Sequence, residues 1–193
     1  MKKERADASR NRAVLVTTVR EMLAEDGIDK ITMDGLAERS GLGKGTVFRR
    51  FGTRAGIFRA LLDEGERDFQ NRMMSGPPPL GPGAEPLDRL VALGSERLRF
   101  LLANREIARA ALDTRTPVPF GPPARAIHLH IRMLLRQVPV EGDDLELMAM
   151  QLAAALDTPL LLYMPLDGDG PPESEIEDRL TRGWESLIRR VCR

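Results

Sequence analysis

The sequence is poor in cysteine, aromatic residues and histidine, and each shortage removes a class of protein. Its one cysteine, Cys192, stands beside the last residue, so neither an internal disulfide framework nor a zinc site built on several thiolates is available. Aromatic residues make up 4% of the chain, and no run alternates apolar and polar residues between turn signals, which leaves β-strands without support. The two histidines, His128 and His130, would point away from each other on a helix and make a poor metal pair. No metal, cofactor or catalytic residue is expected, and hence no enzyme. A clean membrane span is missing too: Leu145 to Met164 is long enough, but it carries Glu146, Gln151 and Asp157 and is broken by Pro159, so it reads as a buried soluble helix. Near the N-terminus, AVLVTTV is cut off by Arg20 and Glu21, too soon for a signal-peptide core. The expected location is the reducing cytoplasm.

What is present is the composition of a soluble globular protein, 193 residues of which 42% are hydrophobic and 30% charged, with apolar residues recurring at helical spacing throughout. An all-α fold of about nine helices is expected. The formal net charge is zero, but residues 1–62 hold 13 Lys+Arg against 8 Asp+Glu, leaving 16 against 21 in the remainder. A basic head on an acidic body suits a DNA-reading module joined to a regulatory one. Ser75 to Pro86, SGPPPLGPGAEP, cannot continue a helix. It is expected to link an N-terminal domain, residues 8–62, to a C-terminal domain, residues 86–193.

In the head, Leu15, Val19, Met22 and Leu23 form one apolar stripe and Gly27 follows as a stop, which predicts a first helix over about residues 8–26. Thr32 is placed to cap a short second helix ending near Ser40, and Gly41-Leu42-Gly43 turns the chain into a third over about 44–50. Thr53 opens a fourth. Two short helices joined by a glycine-containing turn are the helix-turn-helix pattern, here residues 31–52. On the third helix Val47 and Phe51 fall on one side while Thr46, Arg49 and Arg50 cluster on another, leaving Phe48 at the flank. Guanidinium groups on an exposed short helix fit the major groove, where they pair with guanine edges or phosphates. Gly45 lets the backbone approach closely, and Lys44 and Arg54 are placed to meet phosphate oxygens. The competing reading of GLGKGT, Gly41 to Thr46, as a phosphate loop fails on spacing, because Glu38 and Gly45 stand where a nucleotide-binding loop needs glycine and a hydroxyl.

Thr32, Leu36-Ala37, Gly41, Lys44 to Phe48, Phe51 and Gly52-Thr53-Arg54, with the first-helix stripe and Gly27, resemble the DNA-binding signature of the bacterial TetR (tetracycline repressor) family. The resemblance covers about a third of the chain. It implies a homodimer on a palindromic double-stranded DNA operator, a repressor released by a small apolar or amphipathic effector. It gives Thr32, Lys44, Gly45, Thr46, Phe48 and Arg54 contacts to DNA, with Arg49 and Arg50 at the central reading positions. Many relatives have an aromatic pair with histidine where this chain has Phe48-Arg49-Arg50, so a tyrosine hydroxyl contact is lost and base preference does not transfer. The alternatives are a DNA-binding structural or interaction protein, and an activator without an inducer.

For the body, helices are expected at about 86–103, 104–113, 122–138, 143–164 and 173–192. The candidate ligand-lining residues are Phe100, Ile107, His128, Met133, Met148, Leu152 and Tyr163, since methionine-rich walls adapt to apolar ligands. Leu156, with the stripe Leu180, Trp184, Leu187, Ile188 and Val191 of the last helix, is the candidate dimer interface by family analogy. Core within one chain is the bland alternative for Trp184.

Overall fold

The computed structural model describes residues 2–112, 122–140, 144–158 and 172–192. Its helices are α1 (Lys2–Asp26), α2 (Met33–Ser40), α3 (Lys44–Phe51), α4 (Arg54–Ser75), α5 (Pro86–Ala103), α6 (Arg105–Ala110), α7 (Pro122–Leu135), α8 (Leu145–Thr158) and α9 (Glu173–Val191), with a 3-10 turn at Ile28–Lys30. The fold is all-α, and the described residues hold no strand. Helix α1 starts earlier than the apolar stripe suggested, because Lys2 to Ala13 contains neither glycine nor proline to stop it. Asp144 caps α8, its Oδ1 accepting from the Leu147 N–H at 2.9 Å. Among the described residues no helix is long and apolar enough to cross a membrane.

The chain divides into two compact units, Met1–Leu62 with Glu106–Pro119, and Asp63–Arg105 with Phe120–Arg193. The division falls inside α4. The Ser75 to Pro86 segment, expected to be the linker, lies within the second unit, where Leu80 and Gly81 are buried. Proline stops a helix there without separating two cores.

In the first unit Leu15, Val19, Met22, Ile31, Leu36, Val47, Ile57 and Phe58 form the interior. The residues after α6 are tied to it, Arg59 Nη1 donating to the Ala111 carbonyl at 2.9 Å. In the second unit α5 packs along α9 and α7 along α8, burying Leu90, Leu93, Leu101, Ile131, Leu134, Leu152, Trp184 and Ile188 in one cluster. Gly94 makes the α5–α9 contact possible, because a Cβ there would stand 2.0 Å from Trp184 Nε1. The same indole N–H donates to the Leu90 carbonyl at 3.0 Å, so the tryptophan is both packed and satisfied.

Arg89 pins the proline-rich segment. Its Nε donates to the Leu80 carbonyl at 3.5 Å, and its Nη2 donates to the Met73 carbonyl at 3.3 Å and lies 3.2 Å from His130 Nε2. Burial, reinforced by the Arg89 charge, pushes the His130 pKa down to about 4, so the ring is neutral and accepts. A group that binds its proton less readily when folded contributes stability above its unfolded pKa and loses it as pH falls. Between pH 6.5 and about 4 His130 should therefore cost up to about 3 kcal/mol of stability. Urea unfolding across that range should show a smaller fall for His130→Gln than for the parent; equal falls would show that His130 does not titrate in this way.

Candidate nucleic-acid interface

The geometry of the interface begins with three backbone devices. Thr32 Oγ1 accepts from the Gly35 N–H at 3.0 Å and caps α2. Gly41, with φ of 68°, ends that helix in the left-handed region, which costs glycine nothing. Gly43 then precedes α3, and no side chain caps that helix, so its first N–H groups remain open to an anion.

Helix α3 has two faces of opposite character. Val47 and Phe51 are buried at 0% and 8% exposure, while Lys44, Gly45, Phe48, Arg49 and Arg50 are exposed and Thr46 is half-buried. Phe48, at 50% exposure, projects an apolar ring among these cations. Arg49 Nη2 lies 3.4 Å from Thr46 Oγ1, a contact long enough to yield to a better acceptor. Neither Arg49 nor Arg50 is held in an ion pair among the described residues. Lys44 pairs with Asp34 at 2.8 Å, both well exposed, a contact of little energy that water or phosphate can replace. Arg39 reaches from α2 to Glu25 and Asp26 at the end of α1, fixing the helices behind the reading face.

Arg54, expected to meet a phosphate, is also engaged within the protein. Its Nε donates to the Ile31 carbonyl at 2.7 Å and its Nη2 to the Ile28 carbonyl at 2.6 Å. The guanidinium also lies 5.0 Å from the centroid of the Phe58 ring. The group thus ties the turn before α2 to the start of α4. Spacing placed Arg54 at a helix start but carried no sign of its bonds to the Ile28 and Ile31 carbonyls.

The other candidate residues do not share one surface. Phe100, Met148 and Leu152 belong to the core cluster of the second unit, Ile107 falls in the first unit, and Met133 is exposed at 38%. His128 Nε2 lies 3.0 Å from Glu146. Tyr163 lies outside the described residues. Two open grooves lie in the second unit, one of about 450 Å³ lined by Pro79, Leu80, Val91, Ala92, Ser95 and Arg99 among others. The other, about 250 Å³, runs along Leu98, Ala155, Leu156, Leu180, Gly183 and Leu187. Neither is lined by a candidate ligand residue. Of the candidate interface residues, Leu156, Trp184 and Ile188 are within their own core at 1%, 4% and 0% exposure. Leu180 and Val191 are half-buried, and Leu187 is exposed.

Sequence reasoning passed over two groups. Leu147, Met150 and Ala154 are exposed along α8, opposite the buried Ala149, Leu152 and Leu156; their three- and four-residue spacing was readable. Arg97 and Glu66 are buried and paired with each other, and each sits in mid-stripe, Arg97 between Leu90 and Leu101 and Glu66 between Leu62 and Phe69. A charge inside an apolar stripe was the available signal.

These elements define a helix-turn-helix DNA-binding protein with a separate helical body. Residues 15–61 match the family described as bacterial regulatory proteins, tetR family. A TetR-family transcriptional regulator from Pectobacterium atrosepticum superimposes with a TM-score of 0.72 at 19% identity, over 97% of each chain. A TetR/AcrR-family regulator from Thermobifida fusca gives 0.62 at 17% identity, over 90% of this chain and 96% of its own. The fatty acid degradation regulator FadR from Bacillus halodurans gives 0.64 at 15% identity, over 92% and 93%. Among curated proteins none matches the chain. The match to the tetR-family description is confined to residues 15–61, and over the whole chain the likeness to these solved structures is one of fold.

Replacing Arg54 by alanine should lower stability by about 1–2 kcal/mol through two lost charged hydrogen bonds. Arg54→Lys should recover only part, since an ammonium lacks the planar fork. Urea unfolding of both variants checks this; unchanged stability would show that the two bonds do not hold the turn before α2.

Proposed function

We propose that the chain is a ligand-responsive repressor that binds a two-fold symmetric operator as a homodimer. The observation that carries the reading is the exposed α3 face of Thr46, Phe48, Arg49 and Arg50, backed by buried Val47 and Phe51 and by uncapped N–H groups at its start. Arg49 and Arg50 read base edges, Phe48 meets thymine methyl groups or sugars, and Lys44, Gly45 and Thr32 lie against the phosphates. Two copies of α3, about 34–36 Å apart, span one turn of B-DNA.

The second copy is held by the outward stripe of α8, Leu147, Met150 and Ala154, together with Leu187 of α9. These residues take over from Trp184, Ile188 and Leu156, which are already committed to their own core. The groove between Ala155 and Leu187 receives a partner side chain. A two-fold axis makes the contact self-complementary. An effector in the second unit favours a different spacing of the reading helices and releases the operator. Helix α4 and the α5–α6 junction carry the chain between the units, and the Arg59–Ala111 bond anchors the latter path in the DNA-binding unit.

Selection from a pool of random duplexes should return a palindromic site. On that site Arg49→Ala and Arg50→Ala should each weaken binding by about 1–3 kcal/mol. Uniform protection in footprinting, with no palindrome, would instead favour a DNA-binding structural protein. For the dimer, Leu187→Asp combined with Met150→Asp should shift sedimentation from dimer to monomer without loss of helicity; a dimer that survives both would exclude this face.

A further inference from the structure

In the second unit two buried ionisable side chains meet a third that is half-buried, from three helices. Glu66 of α4 and Arg97 of α5 are 1% and 0% exposed and pair through Oε1 and Nη1. Arg97 Nε also donates to Asp157 Oδ1 of α8 at 3.1 Å. One guanidinium therefore serves two carboxylates, and an interior does not retain an uncompensated charge without a partner. The second oxygen of Glu66, Oε2, is buried with no hydrogen-bond partner. Asp63 adds further negative charge beside Glu66.

We infer that this cluster recognises a cationic amphipathic effector, whose ammonium group sits against Glu66 Oε2. The inference rests on the reading that the second unit takes a small molecule, and it names the chemistry of that molecule. A cation supplies both what Glu66 Oε2 lacks, a donor, and what the cluster lacks, one positive charge. A carboxylate ligand would instead meet Glu66, Asp157 and Asp63 in a setting that Arg97 cannot balance alone. The apolar part of the ligand has a wall at Phe100, whose ring centroid lies 5.4 Å from the Arg97 guanidinium. Asp157 keeps 25% of its side chain exposed and is the member of the cluster that meets solvent.

The direction of the shifts at both carboxylates agrees with this assignment. Burial raises the pKa of Glu66, opposed by Arg97 and reinforced by Asp157 and Asp63, and burial likewise raises that of Asp157 against the pull of Arg97. An ammonium beside Glu66 would act on these carboxylates in the same direction as Arg97, against the effect of burial.

The test uses the full chain at pH 7 with n-decylammonium, 1-decanol and decanoate, each below its micelle concentration, reading calorimetric binding and operator release in parallel. Decylammonium should bind about tenfold or more tighter than decanol, with decanoate weakest. Glu66→Gln should erase the preference while leaving decanol binding and ligand-free operator affinity unchanged. Asp157→Asn, a second variant if the first folds poorly, should weaken the preference in the same direction. Equal binding of ammonium and alcohol, or a preference that survives both variants, overturns the inference. Operator release by decanol or decanoate but not by decylammonium overturns it while the ligand-responsive reading stands. If none of the three binds, both fall.

Discussion

An eight-residue helix does not hold its shape alone in water, because too few hydrogen bonds follow its nucleation. Helix α3 exists as a reading surface because Val47 and Phe51 are drawn into the first unit's interior, where α2 lies against it. Burying those two side chains fixes the rotation of the helix about its axis, and that rotation decides that Arg49 and Arg50 face outward. The Thr32 cap, the left-handed Gly41 and the Arg54 bonds to Ile28 and Ile31 all act on the same variable. They set where α2 starts and stops, and so where α3 can dock. The reading face is thus a product of packing behind it, and its arginines contribute nothing to holding it there.

The helix-turn-helix was legible because its information is local. Capping threonine, turn glycines and helical stripes all act over a few residues. The second unit was less legible because a stripe says that a face is covered, not by what. Trp184 and Ile188 fit a partner or their own core equally well in sequence; only the hole at Gly94 decides for the core. Similarly, the prolines of Ser75 to Pro86 end α4 unmistakably, but nothing local says that Leu80 between them is buried. Arg54 shows the same limit at a single residue, since spacing fixes its position but not its acceptor.

Charge is distributed by function as well as by number. The basic residues of α3 stand in water, where exposed charges cost little to keep and remain open to phosphate. Glu66, Arg97 and Asp157 are instead withdrawn from water, where every proton or counter-charge matters to the balance. Helix α4 belongs to both regimes, passing from Arg54 beside the reading helices to Glu66 in the second unit's interior.

The indole of Trp184 is the chain's sole tryptophan, and it is enclosed by α5 and α9 with its N–H fixed on Leu90. Nature has in effect labelled one half of the molecule and left the other dark. Emission from this residue originates entirely in the second unit, so events there can be followed optically while DNA is present and without attaching a dye. The close fit that excludes any side chain at position 94 also holds that label firmly between the two helices.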